Sequence, residues 1–124
     1  MKVKVGIDLV EIDRMETAIH SSERFLQRVL GPRERDYYES HGMKTESLAA
    51  AFAAKEAFSK ALGTGVRDFS LNEVEVLHDD LGCPHYGFSG RAEALVEEQG
   101  LSFELSLTHT KTTAAAVAVA VKED

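Results

Sequence analysis

The sequence holds one cysteine, two prolines and no tryptophan in 124 residues. A lone Cys83 excludes an internal disulfide and any metal cluster built on several thiolates. In its Gly82-Cys83-Pro84 setting it reads as a turn residue. Long apolar runs are missing as well: the longest, Ala114 to Val121, falls far short of the roughly 20 residues needed to span a bilayer. No apolar core with a small-residue cleavage site stands at the N-terminus, so no secretory signal is expected and the expected location is cytoplasmic. Positive charge is scarce. Lys and Arg number 14 against 21 Asp and Glu, a net charge of −7, which argues against nucleic acid or a membrane surface as partner, since both are polyanions. No His-Glu-x-x-His helix, Gly-x-Ser-x-Gly elbow or Walker A loop occurs, so a catalytic zinc, a hydrolase triad and a P-loop kinase are poor candidates. No repeat, low-complexity segment or linker interrupts the chain, and residues 1–124 are expected to form a single domain with its own core.

What is present is a sequence of short, well-punctuated elements. Val3, Val5, Ile7 and Leu9 alternate with Lys2, Lys4, Gly6 and Asp8, which predicts a strand with Asp8 on the face opposite the apolar set. Apolar residues at helical spacing predict one helix from Arg14 to about Leu30, stopped by Gly31-Pro32. Pro32 opens a short helix through Tyr37-Tyr38, ended by His41-Gly42. A long helix is expected after Thr45 as its N-cap, with Gly63 as its stop. Strands follow at Leu71–Leu77 and Tyr86–Phe88 around the turn Asp79–Pro84, then a helix from Arg91 to Gln99 closed by Gly100. Two last strands, Ser102–Leu107 and Thr113–Val121, complete an α+β domain with helices early and strands late.

Residues 52–65, Phe-Ala-Ala-Lys-Glu-Ala-Phe-Ser-Lys-Ala-Leu-Gly-Thr-Gly, carry the chemistry. Glu56 and Lys60 lie one turn apart on one helix face, and the helix runs into a Gly-Thr-Gly loop whose N–H groups could meet a phosphate. Asp8, an unusual residue for a strand, is the second carboxylate. Asp8 and Glu56 together suit Mg²⁺, which takes one or two protein carboxylates and completes its shell with water and phosphate oxygens. Ordinary surface acids and a simple i,i+4 ion pair between Glu56 and Lys60 are the plainer account of the same residues. Between Arg14 and Arg35 five arginines face three glutamates, which is either a solvated helix face or a docking patch for an acidic protein.

These segments resemble the holo-[acyl-carrier-protein] synthases, the small bacterial 4′-phosphopantetheinyl transferase family. Gly6-Ile7-Asp8-Leu9-Val10-Glu11-Ile12-Asp13-Arg14 resembles the family's opening motif, and residues 52–65 resemble its central signature almost without departure. Gly82-Cys83-Pro84 sits at its Gly-x-Pro turn and Ser106-Leu107-Thr108-His109-Thr110 at its strand end. The resemblance implies an antiparallel sheet packed with a long central helix. It also implies transfer of the phosphopantetheine arm of coenzyme A to a serine of apo acyl carrier protein, with release of adenosine 3′,5′-bisphosphate. By motif position, Asp8, Glu56 and Lys60 would be catalytic, with Asp8 and Glu56 holding Mg²⁺. Ser59, Lys60, Gly63, Thr64, Gly65, Pro84, His109 and Thr110 would line the nucleotide. The family works as a homotrimer with shared sites. Its acidic partner makes Arg14, Arg24, Arg28 and Phe25 the candidates for docking.

Two departures stand out. Ala51 occupies a position where the family often has arginine, and only Lys44 stands in the preceding region, so cations expected near the nucleotide phosphates are missing. Cys83 replaces a commonly polar residue. A metal-dependent nucleotide diphosphate hydrolase could use the same carboxylates and lysine. A non-catalytic module binding coenzyme A or the carrier is the third reading, and intact Asp8, Glu56 and Lys60 weigh against it.

Overall fold

A computed structural model describes residues 1–64 and 68–124. Strand β1 (Lys2–Glu11) leads into helices α1 (Ile12–Ser21), α2 (Glu23–Val29), α3 (Pro32–Ser40) and the long α4 (Thr45–Leu62). The second half holds the hairpin β2 (Val74–His78) and β3 (Pro84–Phe88), then α5 (Gly90–Gln99), β4 (Leu101–His109) and β5 (Thr113–Lys122). The strands form an antiparallel three-stranded sheet in the order β1-β5-β4 and a separate antiparallel pair β2-β3. This is the expected α+β arrangement, with the last strand of the chain placed in the middle of the main sheet.

Three local expectations need correction. The helix predicted from Arg14 to Leu30 is two helices: Ser22 is extended, at φ −160° and ψ 130°, and its hydroxyl accepts the Arg24 N–H as cap of α2. A serine side chain that satisfies an orphan helix donor interrupts the apolar periodicity at little cost. The strand predicted from Leu71 begins only at Val74, because a capping box between Ser70 and Glu73 winds Leu71–Glu73 into a 3-10 turn. Thr45 is the first residue of α4 rather than its cap, which is Lys44.

Helix α4 is the centre of the fold. Its alanines favour the helix and remove bulk, and Ala49, Ala51, Ala53, Ala54 and Ala57 have no exposed surface. They meet a sheet face that is equally small, since Ala114, Ala116, Ala118 and Ala120 of β5 are all buried. Gly6 completes the fit: a Cβ there would stand 1.9 Å from the Ala57 carbonyl oxygen and 2.7 Å from the Ala61 nitrogen. The helix backbone therefore lies directly on β1. At the other end Gly63 ends α4 in the left-handed conformation, φ 89°, which glycine adopts without strain. Phe58 packs outward from α4 into Phe69, Phe88 and Phe103, while the Tyr86 hydroxyl donates to the Ala54 carbonyl at 2.6 Å.

A buried ionic chain locks α4 in place. Lys55 has no exposed surface, and its ammonium donates to Glu34 Oε1 at 2.7 Å and to the carbonyls of Leu71 and Val74. Glu34, equally buried, also accepts the Gly31 and Val76 N–H groups. Glu75 accepts the Glu34 N–H and the Arg33 guanidinium. Helices α3 and α4 are so tied to β2 through charged groups that are paired and hydrogen-bonded, the condition under which buried charge is tolerated. Burial pushes the Glu34 carboxyl up and the Lys55 amine down, and their mutual attraction opposes both movements.

The opposite face of the main sheet is bare. Val3, Val5, Ile7 and Leu9 are 51%, 59%, 61% and 67% exposed. They lie beside Val121, Val119, Val117 and Ala115 of β5. The alternation in β1 was legible, but its apolar side points away from this chain's core.

Candidate active site

Asp8 comes from β1 on the face that meets α4, two residues after Gly6. From Leu48 to the end of α4 every position is buried except Phe52, Glu56 and Lys60, at intervals of four. That spacing draws a single stripe along the helix, and the close contact at Gly6 sets the stripe beside Asp8. The Lys60 ammonium donates to Asp8 Oδ1 at 3.0 Å and to the Ile7 carbonyl at 2.9 Å. The ion pair expected within the helix, between Glu56 and Lys60, is replaced by this cross-element pair.

Asp8 and Glu56 line one cleft of about 570 Å³ with Leu9, Val10, Glu11, Arg14, Met15, Ala18, Phe25 and Phe52. Burial, and after it the charge of Asp8, raise the Glu56 carboxyl above its ordinary value, while Lys60 lowers it in part. Two hard oxygen donors with surplus negative charge, open to a cleft, fit a Mg²⁺ ion. Among the described residues no group of three or more His, Cys, Asp or Glu side chains gathers as a metal cage. One or two protein carboxylates suffice for a Mg²⁺ ion that completes its shell with other oxygen donors.

Two of the four docking candidates stand at the same cleft. Arg14 and Phe25 line it, and Phe25 stacks on Phe52 with centroids 6.1 Å apart. Arg24 and Arg28 are exposed on α2.

The remaining candidates stand elsewhere. Ser59 is buried, its hydroxyl donating to the Glu56 carbonyl at 2.8 Å. Gly63 and Thr64 follow the end of α4, and Gly65 lies outside the described residues. Pro84 opens β3 in the hairpin. His109 and Thr110 line a second cleft of about 470 Å³ with Ile12, Glu46 and Lys111. The register puts His109 opposite Ala114, which is opposite Val10, so His109 sits two strands across the sheet from β1. Asp8, Glu56 and Lys60 are therefore brought together in one chain, and the predicted nucleotide end is not joined to them.

Two lining residues were not singled out for the site by the sequence reading, Phe52 and Met15 of the cleft's apolar wall, nor was the buried Lys55, which braces the helix that carries Glu56. The four-residue interval from Phe52 to Lys60 was available as a signal. So was the place of Lys55 three residues after Phe52, on the flank that also carries Ala51 and Phe58.

Comparison with known proteins identifies the family and the fold. Residues 4–120 match the model of the 4′-phosphopantetheinyl transferase superfamily. The chain belongs to that superfamily. Among its relatives, a holo-[acyl-carrier-protein] synthase of Thermoanaerobacter sp. is 38% identical over 122 residues, covering 98% of this chain and 88% of the relative. One of Clostridium perfringens is 41% identical over 124 residues, covering 96% and 93%. The holo-[acyl-carrier-protein] synthase of Neisseria meningitidis superposes with a TM-score of 0.87 at 35% identity, over 96% of this chain and 98% of that one. A Helicobacter pylori holo-[acyl-carrier-protein] synthase in complex with coenzyme A superposes with a TM-score of 0.82 at 30% identity, over 94% and 99%. This transferase chain thus shares both fold and full-length sequence similarity with the synthases.

Proposed function

We propose that this transferase moves the 4′-phosphopantetheine group of coenzyme A to a serine hydroxyl of an apo acyl carrier protein, in a Mg²⁺-dependent reaction. The observation that carries the reading is the convergence of Asp8 and Glu56 at one cleft rimmed by Arg14 and Phe25, with Lys60 bonded to Asp8. A cytoplasmic location belongs to the same proposal.

The serine oxygen attacks the phosphorus that bears the pantetheine arm. The bond from that phosphorus to the bridging oxygen breaks, and adenosine 3′,5′-bisphosphate leaves with the electron pair. Such a transfer depends on positioning and charge neutralisation more than on covalent help from the protein. Asp8 and Glu56 would hold Mg²⁺, which supplies charge stabilisation at the diphosphate. Lys60 adds an ammonium beside the same oxygens. Glu56, its carboxyl raised by burial and by Asp8, would be one candidate acceptor for the serine proton. Phe52, Phe25 and Met15 offer an apolar wall along which the pantetheine arm can lie. The exposed arginines of α1 and α2 steer and orient an acidic carrier, chiefly through the rate of encounter.

A homotrimer with shared sites is part of the same reading. The apolar face of β1 and β5 is the kind of surface that other copies cover. A neighbouring chain could then supply His109, Thr110 and Pro84 to the nucleotide end that one chain leaves apart.

Coenzyme A consumption with and without carrier protein separates this from hydrolysis. The transferase reading expects consumption only with the apo carrier present, in step with release of adenosine 3′,5′-bisphosphate. Consumption without an acceptor would establish the hydrolase instead.

A further inference from the structure

Lys60 is placed where a metal would act. Its ammonium sits on Asp8 Oδ1 at 3.0 Å and is steadied by the Ile7 carbonyl at 2.9 Å. The Asp8 side chain is only 19% exposed, whereas that of Lys60 is 55% exposed, so the lysine can withdraw to solvent and the aspartate cannot. Glu56 shares the cleft without an ion-pair partner of its own among the described residues. A divalent cation that binds Asp8 and Glu56 must either displace the ammonium from Asp8 Oδ1 or take the other carboxylate oxygen against cation–cation repulsion.

We infer that Lys60 is the resident counter-ion of Asp8 and competes with the divalent metal until a phosphate substrate draws the ammonium away. This rests on the reading of Asp8 and Glu56 as metal ligands. Lys60 has two alternative anionic partners, the Asp8 carboxylate and a substrate phosphate, and its exchange between them links metal binding to nucleotide binding. A ligand shifts such an equilibrium only by its differential interaction with the two states. Here the difference is the Asp8–Lys60 pair, present in one state and absent in the other. The consequence is a metal site that stays weak in the free protein and strengthens when coenzyme A arrives.

The test is Mn²⁺ binding to the nucleotide-free protein, read as loss of the free-ion EPR signal. Folding of each variant is checked by circular dichroism. Lys60→Met should bind Mn²⁺ more tightly than wild type by up to about fivefold, the scale of an exposed ion pair. Lys60→Arg keeps a cation at Asp8 and should stay near wild type. Lys4→Met removes a cation from the same face of β1 without touching Asp8 and should also leave affinity where it is; a rise equal to that of Lys60→Met would overturn direct occupation. Unchanged or weaker Mn²⁺ binding in Lys60→Met, with Asp8→Asn abolishing it in both backgrounds, would refute the competition while keeping the metal site. Full Mn²⁺ binding by Asp8→Asn would instead overturn the metal reading itself.

Discussion

At the scale of single residues, the structure separates side chains that act from side chains that hold. Glu56 lines the cleft and Lys55, its neighbour in sequence, lies wholly inside the protein against Glu34. Their substitutions should therefore fail in opposite ways. Glu56→Gln leaves packing alone and replaces a carboxylate with a poor Mg²⁺ ligand, so turnover should fall by at least about a hundredfold, the lower range of a proton-transfer group, with the melting temperature kept. Near-normal turnover would remove Glu56 from the mechanism. Lys55→Met leaves Glu34 charged and unpaired in the interior, which costs about 3–5 kcal/mol. Chemical denaturation should show that loss, and a second change, Glu34→Gln, should recover part of it. If Lys55→Met melts like wild type, the buried chain is not what braces α4.

At the scale of elements, the site depends on how closely α4 lies on β1. Gly6→Ala puts a methyl group into the Ala57 carbonyl. Helix α4 must then lift from the strand, at a cost of about 1–3 kcal/mol or more for overpacking. Turnover should fall together with stability, because Glu56 and Lys60 move away from Asp8; full activity in Gly6→Ala would show the contact is not needed. The aromatic stack at the β2–α3 junction gives a pH prediction. His78 stacks on Tyr37 at 4.3 Å, with His41 on the ring's other side at 4.1 Å. Burial, then the nearby His85 and His41, hold the His78 imidazole below its ordinary value, with Asp79 opposing. The folded protein thus prefers neutral His78. That stabilisation is present above about pH 6.5, the free imidazole value, and is lost as pH falls through and below it. Melting temperatures between pH 7.5 and 5 should drop less steeply in His78→Phe, which keeps the stack; parallel curves would exclude His78 as the source. Much of this level could be read from sequence, because Gly63, Gly100 and Pro32 mark helix ends through backbone preference alone. The break at Ser22 and the 3-10 turn at Leu71 could not, since each depends on a specific side-chain hydrogen bond rather than on periodicity. Asp8 and Glu56 could be paired as candidate metal ligands from residue type and setting, but the bond of Lys60 to Asp8 rather than to Glu56 could not be read. A long-range contact set by the absence of a Cβ at Gly6 leaves no periodic trace.

At the scale of the whole molecule, one chain presents an exposed apolar face and holds the residues proposed for the nucleotide end apart from Asp8. The valines of β1 and β5 form a stripe that solvent would not favour, and His109 and Thr110 stand across the sheet from Asp8. Assembly through that stripe is proposed to cover the one and complete the other. Sequence alternation identified the apolar residues of β1, but not that the small alanines of β5 reserve its inner face for α4 and leave the larger side chains outside. Val5→Asp would place a charge in the middle of this apolar face. If the proposed trimer forms, light scattering should find wild type trimeric and this variant monomeric, with turnover lost although Asp8, Glu56 and Lys60 are intact. An active monomer would show that one chain contains the whole site.

The central claim is that this superfamily member modifies a carrier protein at a site built on Asp8, Glu56 and Lys60. The most direct measurement is the intact mass of an apo acyl carrier protein after incubation with this protein, coenzyme A and Mg²⁺. The account predicts a gain of one phosphopantetheine group, abolished by EDTA and by Glu56→Gln. An unmodified carrier, or a modification that persists with EDTA and with Glu56→Gln, would contradict it.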